Sequence, residues 1–479
     1  MAIVHYILIA LEVILIFNLI IGAHELGHFL AARWRGLKVE RFAIWFGKPI
    51  WKKKIGGVEY ALGILPFGGY VSLPQMASME AIEGKTETPT EPLPNVSPLD
   101  KIIVAFAGPL FSLLLAVFFA VIVWQVGKPV STTGNSTTIG WVDPNGPAAK
   151  SGLRPGDTIL EVDGHPVTQF SPAEGSARSS SAQDSVKWCI ITSQGTNIAI
   201  KYQRDGKVAM AYPVPVHRAT KWYERRSLRQ IMIDSVAPAL VGDTITNSPA
   251  AKAGLRLGDQ IVAVNGEKIY SYDALLQLEE EMTNGSIEPV TLTVQRGTNN
   301  FDLPLLAARP IQPTNAPPSF GIVWQVDTNI TLAHPGPLDQ IQSSAGTIFA
   351  TFGALFAPHG EIGVQQLGGA VMIIRVYYNL FQDDDGWRRV LWFSVVLNVN
   401  LALLNMLPLP VLDGGHITLS LIEAVRRRPV SARILEKIQS GFAALLIAFM
   451  LYIAFFDTGD WLRSARSDRD VPVIFAPQK

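Results

Sequence analysis

Four long apolar stretches constrain this sequence more than any other feature. They cover residues 3–23, 102–126, 390–407 and 441–456, and a helix needs about 20 mostly apolar residues to cross a bilayer. Charged residues make up 17% of the chain, which is below the roughly 25% of a typical soluble protein. The pattern predicts a polytopic α-helical membrane protein with about four transmembrane helices. Four buried helices of a soluble core are the alternative.

Basic residues predict the orientation of these helices. Lys and Arg cluster in the segments 33–54 and 426–437, and cytoplasmic loops of membrane proteins carry an excess of both residues. We therefore expect both segments on the cytoplasmic face of a bacterial inner membrane. Residues 127–389 and the polar tail 457–479 would then lie on the outer side, and the lipid bilayer would be a partner of the chain.

Charge and cysteine content exclude several classes of protein. Forty basic and forty acidic residues cancel, so no net field favours a nucleic-acid partner. Cys189 is the only cysteine. The chain therefore has no internal disulfide and no site built from several thiolates.

The large outer segment contains a repeat. Residues 147–157 (PAAKSGLRPGD) return as 249–259 (PAAKAGLRLGD), and each copy continues into an apolar strand and a turn, at Asp163-Gly164 and Asn265-Gly266. Two copies about a hundred residues apart predict tandem domains rather than a solenoid. The pattern resembles bacterial, circularly arranged PDZ domains.

This PDZ resemblance implies two extracytoplasmic α+β domains, at 127–228 and 229–309, that bind an extended peptide by β-addition, with peptide C-termini as possible partners. Two spacer domains without a working groove are the alternative. The Ser-rich stretch 171–185 is interpreted as an insertion in the first domain.

The first apolar stretch ends in His24-Glu25-Leu26-Gly27-His28. Residues i and i+4 share one face of a helix, so His24 and His28 can direct ring nitrogens at one metal ion, with Glu25 beside them as a base for water. Charged groups at a membrane boundary are costly and usually mark a functional site. A polar trio that only caps the helix is the alternative.

A catalytic zinc site needs a third protein ligand. The segment 405–416 (NMLPLPVLDGGH) ends the third apolar stretch on the same predicted side of the membrane. Pro408 and Pro410 break the helix there, and non-helical backbone at membrane depth is tolerated only around a protein-lined cavity. Asp413 is the favoured third ligand, and His416 is the alternative.

Together these motifs resemble the site-2 protease family of intramembrane zinc metalloproteases, and within it the bacterial branch that has tandem PDZ domains and regulates the sigma-E stress response. The matching features are His24-Glu25-x-x-His28, the Asn-x-x-Pro-x-Pro-x-Leu-Asp-Gly run at 405–414, and the paired PDZ signatures. They occur in the family's order over nearly the whole chain.

The resemblance implies a role for several residues. His24, His28 and Asp413 would bind Zn²⁺, and Glu25 would be the general base. The implied substrate-binding residues are Asn405, Pro408, Pro410, Gly68, Gly69 and Tyr70. Other divalent ions also suit two histidines and a carboxylate. The family often has asparagine at the position of Ser112, which leaves a polar role for Ser112 open.

Residues 39–101 correspond to the family's membrane-associated β-region and a following loop. Independently of the family, 51–55 and 58–64 are interpreted as two strands around Gly56-Gly57, which is a hairpin signal. An edge strand in this region would pair with the backbone of a substrate. In the linker 310–389, residues 341–356 are predicted to form an amphipathic surface helix, and 383–386 a turn.

The predicted organisation has nine parts. They are the first transmembrane helix with its His-Glu-x-x-His motif (1–38), the β-region (39–101), the second helix (102–126), the PDZ domains (127–228 and 229–309), the linker (310–389), the third helix (390–416), the basic loop with the fourth helix (417–456) and the tail (457–479).

The predicted function is regulated intramembrane proteolysis by a zinc metalloendopeptidase. Its substrates would be single-span proteins, such as pre-trimmed anti-sigma factors or remnant signal peptides. The alternatives are a membrane-anchored PDZ scaffold with an inactive metal site, a metal transporter, and a membrane-tethered serine protease. The last is disfavoured because the run 134–137 (GNST) lacks the glycines of an oxyanion turn.

Overall fold

The computed structural model describes residues 2–76, 96–131, 136–171, 182–314, 316–325, 330–383, 385–427, 432–467 and 472–477. Most of the predicted insertion 171–185, the start of the run 134–137, one residue of the predicted turn 383–386 and part of the basic loop lie outside these residues. The chain folds as two units: Met1–Lys128 with His334–Phe349 and Leu367–Thr458, and Pro129–Ala333 with Ala350–Gln366 and Gly459–Lys479.

The helices of the described residues range from one turn to the length of a membrane span. In chain order they are α1 (Ala2–Trp34), α2 (Pro98–Val126), α3 (Pro147–Lys150), α4 (Val186–Thr192), α5 (Pro249–Ala253), α6 (Asp273–Asn284), α7 (Pro337–Leu355), α8 (Ala370–Gln382), α9 (Gly386–Asn405), α10 (Asp413–Arg426) and α11 (Ala432–Ser467).

The strands fall into three groups along the chain. The membrane-side sheet contains β1 (Arg41–Phe46), β2 (Trp51–Ile55), β3 (Val58–Leu62) and β4 (Leu65–Ser72). β5 (Lys128–Ser131) precedes the first repeat, which contains β6 (Ile139–Val142), β7 (Thr158–Val162), β8 (His165–Pro166), β9 (Ile200–Arg204), β10 (Lys207–Ala211) and β11 (Ile233–Ser235). The second repeat contains β12 (Ala239–Thr244), β13 (Gln260–Val264), β14 (Glu267–Lys268), β15 (Val290–Arg296), β16 (Asn299–Leu305) and β17 (Ile322–Trp324). β18 (Ile330–Ala333) follows it and pairs with β5 in a separate two-stranded sheet.

Within the described residues, four helices are long and apolar enough to cross a membrane: Val4–Trp34, Pro98–Val126, Gly386–Asn405 and Ile434–Ser464. They coincide with the four stretches predicted from the sequence. Large apolar side chains project from their surfaces, for example Leu15, which is 70% exposed, and Leu451, which is 67% exposed. Apolar side chains on the outside suit a hydrocarbon environment. The backbone groups of the helix are hydrogen-bonded to one another and need no water there.

The β-region follows the prediction closely. β2 and β3 pair as an antiparallel hairpin around Gly56 and Gly57, which both have positive φ. The strand order is β2-β3-β1-β4, so β4 is an edge strand that pairs with β1. Residues 63–64 lie outside the observed β3, because the chain turns at Gly63, where a side chain would strike the Phe46 carbonyl.

The two repeats of the second unit share part of their strand pairing. β9 pairs with β7 and β10 in the first repeat, as β15 pairs with β13 and β16 in the second. In each repeat a late strand pairs with an early one: β11 pairs with β6 in a separate two-stranded sheet, and β17 pairs with β12 at the edge of the main sheet. The predicted division at residues 228 and 229 is therefore corrected to the stretch between Ser235 and Ala239, because β11 belongs to the first repeat. The second repeat likewise extends past residue 309 to β17.

Candidate active site

The last turns of α1 carry the two histidines. His24 and His28 are 8% and 2% exposed, and their Nε2 atoms lie 3.3 Å apart. The helix continues through both residues to Trp34, so the i, i+4 spacing holds both rings on one face. Two imidazole rings on one face of an apolar helix need a polar group with which their Nε2 atoms can interact.

Asp413 provides that partner. It is the first residue of α10, after the break that follows α9. Its Oδ2 lies 3.2 Å from His24 Nε2, and its Oδ1 lies 3.3 Å from His28 Nε2. The glycines after it let the break fold tightly, since a Cβ atom on Gly414 or Gly415 would lie 2.2 or 2.1 Å from a carbonyl oxygen of the 406–409 segment.

Contacts on α2 orient both rings. His28 Nδ1 lies 2.8 Å from the Val104 carbonyl, and His24 Nδ1 lies 3.0 Å from Ser112 Oγ. A carbonyl only accepts hydrogen bonds, so His28 Nδ1 carries the proton and its Nε2 presents a lone pair toward Asp413. Ser112, which contacts His24, is fully buried. No sequence pattern pointed to Val104, whereas a serine within an apolar span was a signal for Ser112.

Gly108 brings α2 close to the histidines. A Cβ atom at this position would lie 2.2 Å from His28 Nε2 and 2.9 Å from His24 Cε1. Any side chain here would therefore occupy the space that the two rings face. Gly27 of α1 also permits the close approach of α1 and α2, because a Cβ atom at this position would lie 2.3 Å from the Ala107 carbonyl oxygen.

Glu25 and β4 complete the site. Glu25 Oε2 is buried and has no hydrogen-bond partner among the described residues. A Cβ atom on Gly69 would lie 3.4 Å from Glu25 Cγ, which places the edge strand β4 beside the carboxylate. Gly68 and Tyr70 belong to the same strand, and the Tyr70 hydroxyl accepts a hydrogen bond from Arg41 at 3.1 Å.

A cavity of about 240 Å³ joins these residues. Asn405, at the end of α9, lines it opposite the histidines, and its lining is completed by Ile21, His24, Glu25, His28, Leu401, Val411, Leu412 and Asp413. Pro408 and Pro410 lie in the break outside this lining, and the Pro410 carbonyl accepts a hydrogen bond from Gln439 of α11. His416 is buried on α10 and is not part of the cavity wall.

The donor set fits a zinc ion. Among the described residues, His24, His28 and Asp413 form the group whose ligand atoms lie close together, all within 4.8 Å of one another. Ligands about 2.0–2.1 Å from a tetrahedral ion are separated by roughly 3.3–3.4 Å, which matches the 3.2 and 3.3 Å contacts between the histidine and aspartate atoms. Asp413 Oδ2 has no hydrogen-bond partner among the described residues, although it is buried.

A His-Glu-x-x-His helix, a carboxylate from a second helix and a cavity between apolar spans define the class of intramembrane metalloproteases. The comparison with protein families agrees with this geometry. Residues 12–449 match the family model "Peptidase family M50", and the chain belongs to this family.

Relatives of known name cover almost the whole chain. The chain is 28% identical to the "Regulator of sigma E protease" of Haemophilus influenzae, over 91% of this chain and 96% of that protein. It is 25% identical to "Protease RseP" of Yersinia pestis, over 92% and 96%. A Treponema pallidum protein whose name contains "zinc metalloprotease" is 29% identical, over 91% and 96%.

These findings confirm the predicted class. The protein is a multi-pass membrane protein and an intramembrane zinc metalloprotease of the site-2 type. They do not favour the alternative of a scaffold with an inactive metal site.

Proposed function

We propose that His24, His28 and Asp413 hold the zinc ion and that Glu25 is the general base. The observation that carries this assignment is the meeting of three buried ligand atoms, 3.2 to 3.3 Å apart, from helices almost 400 residues apart in sequence. Ser112 and the Val104 carbonyl support the two rings from behind, as ligating histidines require.

The chemistry that zinc supplies at such a site is polarisation of the scissile carbonyl and acidification of water. Glu25 lies next to the ligands in sequence, and its Oε2 is free to take the proton of the attacking water and to pass it to the leaving amine. Burial of His24, His28 and Asp413 keeps bulk water away from the ligands, which strengthens each electrostatic contact.

A transmembrane substrate must unwind before it can be cut, because its carbonyl groups are hydrogen-bonded within the helix. β4 offers an edge strand beside Glu25, and the Asn405 side chain lines the cavity. We assign β4, with Gly68, Gly69 and Tyr70, to pairing with the unwound backbone. Asn405 would hold a released peptide group, and Pro408 and Pro410 would shape the segment that carries Asp413.

The substrates we propose are single-span proteins cut near their cytoplasmic ends, including trimmed anti-sigma factors and signal-peptide remnants. Two relatives whose names refer to a sigma-E regulator or to RseP support this class. The basic residues of 33–54 favour a cytoplasmic location for the site in a bacterial inner membrane. The repeats would then be extracytoplasmic PDZ domains that exclude proteins with bulky outer domains.

The test is cleavage of a tagged, externally truncated single-span substrate in membranes by the wild type and by Glu25→Gln. We expect the variant to lose at least about a hundredfold in rate, because the base is removed, and to retain its zinc. Glu12→Gln is the matched control, since Glu12 is an exposed acid on the same helix. Equal cleavage by the wild type and Glu25→Gln would contradict the assignment. Loss of bound zinc in His24→Ala and Asp413→Asn, measured by elemental analysis, tests the ligands separately.

A further inference from the structure

In the second repeat, α6 reaches the loop that leads into the edge strand β17, and the surface between α6 and β17 is called the groove below. β17 is the edge strand of the sheet and pairs with β12, and Glu279 of α6 binds the loop before β17. The loop Ser319-Phe320-Gly321 leads into β17, and Gly321 has a φ of 71°, which turns the chain sharply before the strand. An edge strand with a turn of backbone amides at its start is the arrangement that binds an extended peptide and its terminal carboxylate.

A carboxylate of the protein itself already lies on this loop. Glu279 Oε1, from α6, accepts hydrogen bonds from the Phe320 backbone N–H at 2.6 Å and from Ser319 Oγ at 3.0 Å. The Gly321 N–H donates in turn to Ser319 Oγ at 3.0 Å. Bonds from backbone N–H groups to a carboxylate are short and strong. Glu279 therefore supplies the contacts that the carboxyl end of a peptide would make.

The net pKa of the Glu279 carboxyl group is raised, because burial outweighs its hydrogen bonds. Burial raises the pKa of its carboxyl group, whereas the Phe320 N–H and the Ser319 hydroxyl oppose that shift. The two donors stabilise the charged form of a partly buried acid. Glu280, the next residue of α6, is exposed.

The other end of the groove is also closed. The Tyr272 ring, just before α6, stacks on the Trp324 ring of β17, with centroids 5.6 Å apart. α6 thus contacts the loop at one end of β17 and is joined to it through Tyr272 at the other. A peptide strand that added to β17 would have to displace both contacts.

We propose that Glu279 is an internal ligand of this groove, which competes with peptides that end in a free carboxylate. This proposal rests on the PDZ assignment made above and adds a means of regulation to it: the second repeat is closed at rest and binds a carboxyl terminus only when Glu279 leaves the loop. The partner is a peptide chain with a free carboxylate, because that group alone repeats the chemistry of Glu279 at the Phe320 amide.

The test measures peptide binding by the full-length protein in detergent micelles. The probe is a fluorescent hexapeptide library, randomised at its last three positions, in a free-acid form and in a C-terminally amidated form. Glu279→Ala removes the internal carboxylate from the loop. We expect this variant to bind the free-acid library about tenfold more tightly than the wild type. This factor corresponds to a Glu279 side chain that occupies the loop about 90% of the time. Glu280→Gln is the matched control and should bind like the wild type.

The amidated library separates this internal ligand from a general loosening of the groove. It should gain nothing in Glu279→Ala. Equal gains for both libraries, or no gain for the free acid, would overturn the proposal. If Glu279→Ala fails to fold, Glu279→Gln decides, because a neutral amide oxygen accepts from the Phe320 N–H more weakly than a carboxylate does and so competes less. Free-acid binding equal to that of Glu280→Gln would then overturn the proposal. The protease assignment is unaffected by either outcome, because binding rather than cleavage is measured.

Discussion

The two repeats of the second unit share one framework and differ in their grooves. In the first, Asp157 is 1% exposed and binds Arg204 through two hydrogen bonds of 2.6 and 2.7 Å. In the second, Asp259 is 1% exposed and binds Arg296 through two hydrogen bonds of 2.7 Å. Each arginine also donates to the carbonyl of the glycine five residues before its aspartate.

The grooves of the two repeats differ. α4 of the first repeat spans seven residues, and its Lys187 forms an exposed ion pair of 2.8 Å with Asp234 on the edge strand β11. α6 of the second repeat spans 12 residues and reaches the loop through Glu279. The turn before the edge strand has positive φ in both repeats, at Met232 and at Gly321.

The comparison teaches that the buried contacts of a duplicated domain change less than its rim. Loss of the arginine would leave a buried carboxylate without its hydrogen bonds, which is destabilising, whereas exposed pairs contribute little. The aspartate–arginine pair therefore occurs in both copies, while the residues that line the groove have diverged within one chain.

The largest effect is expected at a contact of the second repeat. Phe475, in the tail, is 2% exposed and packs beside Gly321, and Ile474 exchanges backbone hydrogen bonds with Gln312. Phe475→Ala should lower the stability of the second repeat by about 3 kcal/mol, because a buried ring is lost. Hydrogen exchange in β15 and β9 of the intact protein measures it. Val473→Ala is the control. If Phe475→Ala increased hydrogen exchange equally in β15 and β9, the tail would not act on the second repeat alone.

The aspartate–arginine pairs should have the next largest effect, and the same one in both repeats. Asp157→Asn and Asp259→Asn each weaken the charge-assisted hydrogen bonds between a buried position and a partly exposed arginine, for which we expect a loss of about 2 kcal/mol. Local hydrogen exchange of β9 and of β15 gives the two values. A clear difference between them would refute the view that the framework is equivalent in the two copies.

The pH dependence of the second repeat sharpens this prediction. Hydrogen bonds from Arg296 hold the pKa of Asp259 below its usual range. A carboxyl group whose pKa is lower in the folded than in the unfolded state stabilises the fold above the unfolded pKa, and this contribution is lost as the pH falls through the folded value. The second repeat should therefore lose stability below about pH 4. Asp259→Asn should have a flatter profile in exchange experiments across this range; an unchanged slope would contradict this cause.

The smallest effect is expected at the rim of the first repeat. Lys187 and Asp234 are 42% and 49% exposed, so solvent screens their attraction. Lys187→Met should change the stability of the first repeat by less than about 0.5 kcal/mol, as measured by exchange in β9. A loss comparable to that of Asp157→Asn would mean that the ion pair belongs to the framework.

Local sequence patterns were sufficient for much of the fold. The four spans follow from the lengths of apolar sequence, and the β2–β3 hairpin follows from Gly56-Gly57, whose positive φ angles are those of a tight turn. The division between the repeats was placed too early, because β11 follows a long connection and its place in the sheet depends on pairing with β6, more than 90 residues before it.

The sequence by itself determined that His24 and His28 share a helix face with Glu25 beside them, because this relation is set by the helical repeat. Only the tertiary structure decided what surrounds them. Ser112, the Val104 carbonyl and the close approach at Gly108 come from another helix, and Asp413 comes from a helix almost 400 residues further along the chain. The contact of Glu279 with Phe320 likewise joins residues 41 positions apart. Such contacts depend on how whole elements pack, and no local periodicity encodes them.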